Sequence, residues 1–568
     1  MKQGNLHQRR AEMRNHRLAV VGTAFLMALI AAWLLSPGDL WASSDKASKT
    51  PKKATSSLAI TVDANTRFAA DLYRHLSKEH PDENLFFSPY SISSGLLIVA
   101  EGARGETADQ MGRVLRFPEA LRSNSQDAAS IPWKTTPLHY GEWSLRRSLI
   151  ERDMTPEAQA ARKRIAELRA RLEEVQKPYK DFFNGQNLPE GDADEVVEIE
   201  LPVTLEREII AELDSERAKV DQYELSIASS LWLQKGFPFR QEYVRTIRKY
   251  HGAERIYYAD FKNSIEKVRS QINDQVERET EGLIRNAISP EDMDHWTRFV
   301  MTNVIYFRGE WPIPFNENLT EDADFTLFDD QEIQVPMMTA TRKGYRYAAF
   351  NVDGSPFDTP RRVPREVLRE ESEAGKPSVA LYPDEGGFAM VELPYKGKRV
   401  SMVVIAPRSP SGLPSIEAKV TAENLKSWIT HLEKRKVHLF LPRFKLETSY
   451  TLGDGRTRPE GILPEMGMPR AFSKGKLQPK AQFEGLFVPS APGEFIYLDK
   501  VLHKASLEVN EKGTVATAAT MAFGRFGSAA ASNMVPFTPT FKADRPFLFL
   551  IRDTETGTIL FLGRVMRP

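Results

Sequence analysis

None of the 568 residues is a cysteine. A chain without a thiol has no disulfide, no thiolate zinc site, no iron–sulfur cluster and no cysteine nucleophile, so whatever it folds into is held by packing alone. The composition supplies the material. Hydrophobic residues make up 41% and charged residues 27% of the chain, a balance that excludes a disordered or collagen-like polymer. Lys and Arg together number 77, and so do Asp and Glu, which leaves no overall field to draw in nucleic acid or an anionic membrane. Length alone admits several domains, or one large domain with insertions.

Residues 1–17 carry Lys2, Arg9, Arg10, Arg14 and Arg17 against Glu12, and the run from Leu18 to Leu35 has no charge. A basic segment followed by an apolar one is an export signal. Ala42-Ser43-Ser44 offers the small residues a signal peptidase wants, yet the apolar run also reaches the minimum length of a membrane span. Residues 1–44 are therefore read as a signal peptide or as an uncleaved signal anchor. Either way the rest of the chain is extracellular or periplasmic, and it meets a membrane only through that anchor. Residues 45–60, rich in Ser, Lys, Ala and Thr, read as a flexible linker.

In the main body, Phe68, Leu72 and Leu76 recur at every fourth position and predict an amphipathic helix over Asn65 to Lys78. Gly95 to Ala103 is almost entirely apolar and predicts a helix buried on all sides, which makes Ser88 and Ser91 buried hydroxyls in need of partners. Residues 118–220 differ in character and read as an insertion. Within it Ala158, Ala161, Ile165, Leu168, Leu172 and Val175 form a short coiled-coil seam, packed on the parent domain or on a partner, and Asp192 to Leu201 alternates as a strand. Strands are predicted at Leu225–Gln234, Arg298–Phe307 and Val437–Phe444, and helices at Arg240–Tyr250 and Ser264–Val276. Met390–Ala406 reads as a hairpin turning at Tyr395–Lys398, and Phe547–Ile551 with Ile559–Arg564 as a second, closing the chain. Residues 346–385 show little periodicity and read as an inserted loop.

The chain carries no HExxH, GxSxG, Walker or strand-following GxGxxG pattern, and its ten histidines are scattered singly. No residues remain to carry an enzyme reading, and no metal or cofactor is implied.

The ordered blocks NLFFSPYSIS at 84–93, GARGETADQM at 102–111, TNVIYFRGEW at 302–311, LPRFKLE at 441–447, MGMPRAF at 466–472, VLHKASLEVNEKGTVATAAT at 501–520 and RPFLFLIRDTETGTILFLGRV at 545–565 resemble the serpin family, from about Val62 to Pro568. The resemblance implies a single α+β domain over 61–568: a large mixed central sheet, two further sheets, about nine helices and an exposed reactive-centre loop, with hinge and loop at 511–545. It implies a polar cluster under the central sheet at Ser88, Ser91, Asn303 and His503, and Trp311 near the top of that sheet. It also implies suicide inhibition, in which a protease attacks the loop, forms an acyl-enzyme and is trapped when the cleaved loop inserts as a new strand.

The loop suits that task on its own chemistry. From Gly513 to Val535 there is no proline, although the chain has 36, and a central strand tolerates none. Thr514, Ala516, Ala518 and Thr520 share one face and are all small, so that face slides into a sheet without overpacking. Gly513 gives the hinge its backbone freedom. Inserting roughly 15 residues at ~3.3 Å each would drag an acylated protease about 50 Å. Counting from Glu511 in the family spacing puts the specificity residue at Gly527, before Ser528; Phe526 would suit a chymotrypsin-like pocket and Arg525 a trypsin-like one. The loop up to Pro546 is several residues longer than the family's, and counting from that end lands near Val535. In the first insertion, Arg162, Lys163, Arg164, Arg169 and Arg171 are diluted by Glu167, Glu173 and Glu174, which reads as a solvated helix rather than a polyanion site.

The leading expectation is an exported serine-protease inhibitor, monomeric, whose partner is a chymotrypsin-like or trypsin-like protease held as a covalent acyl complex. A non-inhibitory carrier, chaperone or adhesion module, and a cross-class inhibitor of cysteine proteases, are the alternatives.

Overall fold

The computed structural model describes residues 52–568 except 124–130, 151–159, 176–204, 217–222, 253–255, 281, 283, 369–380, 476–478, 515–532 and single positions between 160 and 216. Ser57–Pro568 is one compact unit. The first helix, α1 (Lys52–Glu79), turns Phe68, Leu72 and Leu76 wholly inward. After β1 (Leu85–Phe87), Ser88 adopts extended backbone and its side chain accepts from the Ser91 N–H, with Pro89 in the first turn of α2 (Pro89–Glu101). All of α2 except Ser93 and Glu101 is buried, as its unbroken apolar sequence requires. Helices α3 (Gly105–Val114) and α4 (Thr136–Ile150) follow.

The next strands are β2 (Tyr223–Gln234), β3 (Ile256–Ala259) and β4 (Phe299–Glu310), with α5 (Gln241–His251) and α6 (Ile265–Glu279) between them. The chain continues through β5 (Glu321–Thr326), β6 (Glu332–Phe350), β7 (Pro356–Phe357), β8 (Arg362–Pro364), β9 (Phe388–Pro394), β10 (Val400–Pro407), α7 (Leu413–Glu417), α8 (Ala422–Thr430), β11 (Glu433–Pro442), β12 (Phe444–Asp454) and α9 (Ile462–Glu465). It ends with β13 (Lys500–Val509), β14 (Gly513–Thr514), β15 (Met534–Pro536), β16 (Thr540–Lys542), β17 (Phe547–Asp553) and β18 (Ile559–Val565). Among the described residues nine α-helices thus have defined ends, with further helical residues between 160 and 216.

A mixed six-stranded sheet runs β12-β13-β4-β2-β3, with β14 on β4. A ten-stranded sheet runs β1-β18-β17-β10-β9-β6-β11-β16, with β5 and β7 on β6, and β15 pairs with β8 by itself. Every residue of β10, β17 and β18 is buried, which explains their continuous apolar sequence. The hairpin between β9 and β10 turns on Gly397 and Lys398, both at positive φ, and the Lys398 N–H bonds to Tyr395 O at 2.9 Å. Between the two large sheets Phe86 stacks on Phe561 (5.2 Å) and Phe549 (5.9 Å).

Five expectations change. Residues 52–60, expected as part of a flexible linker, form the first turns of α1, with Ser57 buried. Trp133, Leu138, His139 and Leu145 are buried, so the chain stays in the core as far as Ile150 before the first insertion departs; Pro132 and Pro137 had broken the period there. Among the described residues the coiled-coil seam packs within the insertion itself, where Ile165 and Leu168 meet Ile209 and Leu213. Residues 346–350 complete β6, with Tyr347 to Phe350 buried; the charges of Arg342, Lys343 and Arg346 had hidden that strand. Val437–Phe444 spans the end of β11 and the start of β12, divided by Arg443, whose N–H bonds outward to Pro336 O. The strand expected at Asp192–Leu201 lies outside the described residues.

Phe86→Ala is expected to cost about 3–5 kcal/mol, because the two flanking rings are fixed in separate strands and leave a cavity; a thermal midpoint equal to the parent's would contradict this packing account.

Candidate functional site

Strand β4 pairs with β2 along its length, from Leu233↔Phe299 to Tyr223↔Gly309. On its other side it faces β13, parallel to it, and these two strands share a single ladder pair, Lys504↔Val304. The sheet is therefore barely closed at its centre. At one end of this gap the chain leaves β13, turns at Asn510–Lys512 and comes back as β14, antiparallel to β4, in the pairs Gly513↔Glu310 and Thr514↔Gly309. Gly513 has φ +137, and a Cβ on it would lie 2.1 Å from Gly309 O, so only glycine makes this turn.

A polar and aromatic cluster fixes the turn. The Trp311 indole is stacked on Tyr395 (4.6 Å between centroids, 9° between planes), and its Nε1–H donates to Asn510 O at 3.0 Å. The Trp311 N–H bonds to Lys512 O and the Phe315 N–H to Glu511 O. The Glu511 carboxylate is 4% exposed and accepts from Arg443 Nε at 2.6 and 2.8 Å and from Thr320 Oγ1 at 2.5 Å. Burial pushes this carboxyl up, but the bonds from Arg443 and Thr320 outweigh it and hold it below the usual range.

Beneath the sheet, α2 brings a second cluster under β13. The Ser88 N–H donates to His503 Nε2 at 3.1 Å, and Ser88 Oγ donates to Leu560 O at 2.7 Å while capping the Ser91 N–H. Ser88, Ser91 and His503 are all buried. Because Nε2 accepts, the imidazole proton sits on Nδ1, which has no hydrogen-bond partner among the described residues. Burial lowers the pKa of this ring to about 3, so it is neutral at physiological pH. A cavity of about 500 Å³ lies between the lower parts of the two central strands, lined by Met301 and Thr302 of β4, Val501 and Leu502 of β13 and Leu96 and Val99 of α2.

The residues read from the sequence thus fall in two places. Ser88, Ser91 and His503 come together, and Glu511, Gly513 and Trp311 come together. Asn303 stands in β4 opposite Ser229, described by its backbone only, and Thr514 likewise by its pairing. Ala516, Ala518, Thr520, Arg525, Phe526, Gly527 and Ser528 lie outside the described residues. Sequence reasoning missed Arg443, Thr320 and Tyr395; the lone charge interrupting an apolar run at Arg443 was the available signal.

The family model "serpin (serine protease inhibitor)" matches residues 63–148, 198–356 and 374–568. Human plasminogen activator inhibitor 2 is 30% identical over 513 residues, 89% of this chain and 99% of that protein. Human neuroserpin is 34% identical over 351 residues, 62% of this chain and 73% of that protein. Among solved structures, human thyroxine-binding globulin complexed with thyroxine matches with a TM-score of 0.57 at 24% identity, covering 90% of this chain and 99% of the other. Uncleaved ovalbumin matches at 0.56 and 23%, covering 89% and 99%. At these identities the structures bear on the fold alone.

A neutral, buried His503 makes stability depend on pH in one direction. Its native pKa lies below the unfolded value of ~6.5, so the unfolded chain takes up the proton first and stability falls as pH drops from about 6.5 towards 3, by about 2 kcal/mol at pH 5. His503→Gln should show a smaller loss between pH 7 and pH 5 than the parent; equal losses of unfolding free energy in parent and variant, from denaturant titrations at the two pH values, would refute the assignment.

Proposed function

The chain belongs to the serpin family, and from that premise we propose that it is an exported inhibitor of serine-type endopeptidases that is cleaved in the loop after Thr514, traps the acyl-enzyme and inserts the cleaved loop into the six-stranded sheet. It is read as a monomeric inhibitor and not as an enzyme. The observation that carries the proposal is the start of β14: two residues of the loop already pair with β4 on the side where β4 and β13 share one ladder pair.

Continued in the same register, each loop residue steps one position down β4. Ala516 would face Phe307, Ala518 Ile305 and Thr520 Asn303, and Gly524 would face Phe299, where β4 begins. Arg525 is then the first residue past the end of the partner strand. A scissile bond between Arg525 and Ser528 therefore leaves a strand that fills the gap and carries the acyl group to its far end, whereas cleavage near Val535 would leave slack for the ester to hydrolyse. Dragging the acyl carbonyl out of the oxyanion hole removes a stabilisation that hydrolysis needs, at a cost of 10²–10³ in rate per lost donor. Export rests on the basic and apolar segments of residues 1–35, which lie outside the described residues; among the described ones no helix is long and apolar enough to cross a membrane. The reading as a carrier has no comparable support.

Incubation with trypsin and chymotrypsin as probes is expected to give a covalent complex that survives denaturing electrophoresis, with a released peptide beginning between Phe526 and Ser528 or just after. Thr514→Arg should turn the inhibitor into a substrate, since an unpaired guanidinium would have to enter the sheet at the first step. Undiminished inhibition by that variant would show that strand insertion is not the mechanism.

A second expectation follows from the unfilled gap. Protein cleaved in the loop should melt well above the intact form, because the inserted strand supplies the backbone partners that β4 and β13 lack; coincident thermal midpoints would sink this.

A further inference from the structure

Two features of the chain lie outside what the inhibitor reading explains: the extra length on the distal side of the loop, and the second insertion, which the family model leaves out between residues 356 and 374. The structure brings them together. Strand β8 of the insertion pairs with β15, the first described strand after the loop, in the antiparallel register Met534↔Pro364, Val535↔Val363 and Pro536↔Arg362. The Arg365 N–H donates to Asn533 O and the Phe537 N–H to Arg361 O, each at 3.0 Å, and Arg362 Nη2 donates to Met534 O at 2.6 Å. Pro364 and Pro536 fall at intervening positions, where the ladder needs no N–H. Below the pair Val363, Leu381, Tyr382 and Phe537 form a small hydrophobic cluster of their own, separate from the two main cores. The insertion is itself tied down, because Arg435 donates to Thr359 O and Pro360 O.

We propose that this insertion is a shield on the leaving-group side of the loop, which confines protease attack to residues 515–532 and so determines which bonds can be cut. The proposal rests on the inhibitor reading for its purpose but not for its test. Without the β8–β15 pairing, the first strand fastening the distal chain to the body would be β16, on β11, and the span between described attachments would be residues 515–539; with it, that span is residues 515–532. Shortening the span from 25 to 18 residues changes the entropy of loop closure by less than a factor of two in rate, too little to matter. What matters is access. A protease binds its substrate as an added extended strand through main-chain hydrogen bonds, and residues 533–537 have already given theirs to the insertion. Met534, 41% exposed, and Phe537 are the apolar residues there that a chymotrypsin-like pocket would take, and cleavage at either would spend the inhibitor, because the inserting strand would be too long to draw the ester taut. After productive cleavage the shield stays with the distal fragment, so it has no part in insertion.

The test uses the full chain and chymotrypsin as the probe, with the cut sites read by mass spectrometry. The parent is expected to be cut only on the hinge side of Asn533. Val363→Asp, which puts a carboxylate into the small cluster, and Arg362→Ala, an exposed change that removes the side-chain bond to Met534 O, should both expose Met534 and Phe537. Cleavage there is expected to rise at least tenfold in the first and severalfold in the second, with a matching increase in the inhibitor consumed per protease trapped. Thermal midpoints near the parent's identify a local effect. Cleavage of the parent at Met534 or Phe537, or unchanged sites and rates in Arg362→Ala and Val363→Asp, would overturn the proposal. If chymotrypsin is not trapped at all, the inhibitor reading fails for this probe while the cut sites still decide whether the shield exists.

Discussion

Two parallel strands at the centre of a mixed sheet share one ladder pair, and the other parts of the site are arranged around that unfilled space. Backbone donors and acceptors are nearly always paired when buried, and each new pair is worth about 0.5–1.5 kcal/mol net. A strand laid between β4 and β13 would supply a row of them. On the proposed mechanism the intact fold lies above another arrangement of the same chain, and its persistence would depend on what holds the space open and on what keeps the adjacent loop from running into it.

The clusters at the two levels of the sheet do this by different chemistry. At the turn into β14, Glu511 is held by Arg443 and Thr320, and the Trp311 ring stacked on Tyr395 reaches over to Asn510 O, which fixes the turn from which Gly513 and Thr514 pair with β4. Under β13, the bond from the Ser88 N–H to His503 ties α2 to the strand next to the gap. A charged pair is used where one partner, Arg443, reaches solvent, and a neutral imidazole where the group is wholly enclosed. A charged pair beneath the sheet would have carried a desolvation penalty of several kcal/mol, whereas an imidazole with its unused Nδ1–H is costly only by one missing hydrogen bond. The cavity between the strands is lined on its inner side by Met301, Val501, Leu96 and Val99, which need no polar partner, and also by polar residues such as Thr302 and Lys500.

Much of this was legible before any coordinates. The buried α2 follows from an apolar stretch without a polar stripe, the closing hairpins from turn residues between continuous hydrophobic runs, and the fitness of the loop for a central strand from the absence of proline between Gly513 and Val535. The insertions were read less well. Trp133 to Ile150 looked foreign because prolines broke the period, and β6 beyond Gly344 looked like loop because its cations face outward while Tyr345 and Tyr347 face in.

Local pattern and composition determined most of the elements themselves, the exclusion of thiol chemistry, and the suitability of the loop as a strand, because propensity, period and proline content act within a few residues of one another. Tertiary structure alone decided that β4 and β13 stand side by side with one rung between them, that Arg443 answers Glu511 from the boundary of two other strands, and that residues 362–364 hold residues 534–536. Those contacts join positions 68 to more than 190 residues apart, and nothing in a short window of sequence records which distant partner a charge, a ring or an unpaired strand edge will meet once the chain has closed on itself.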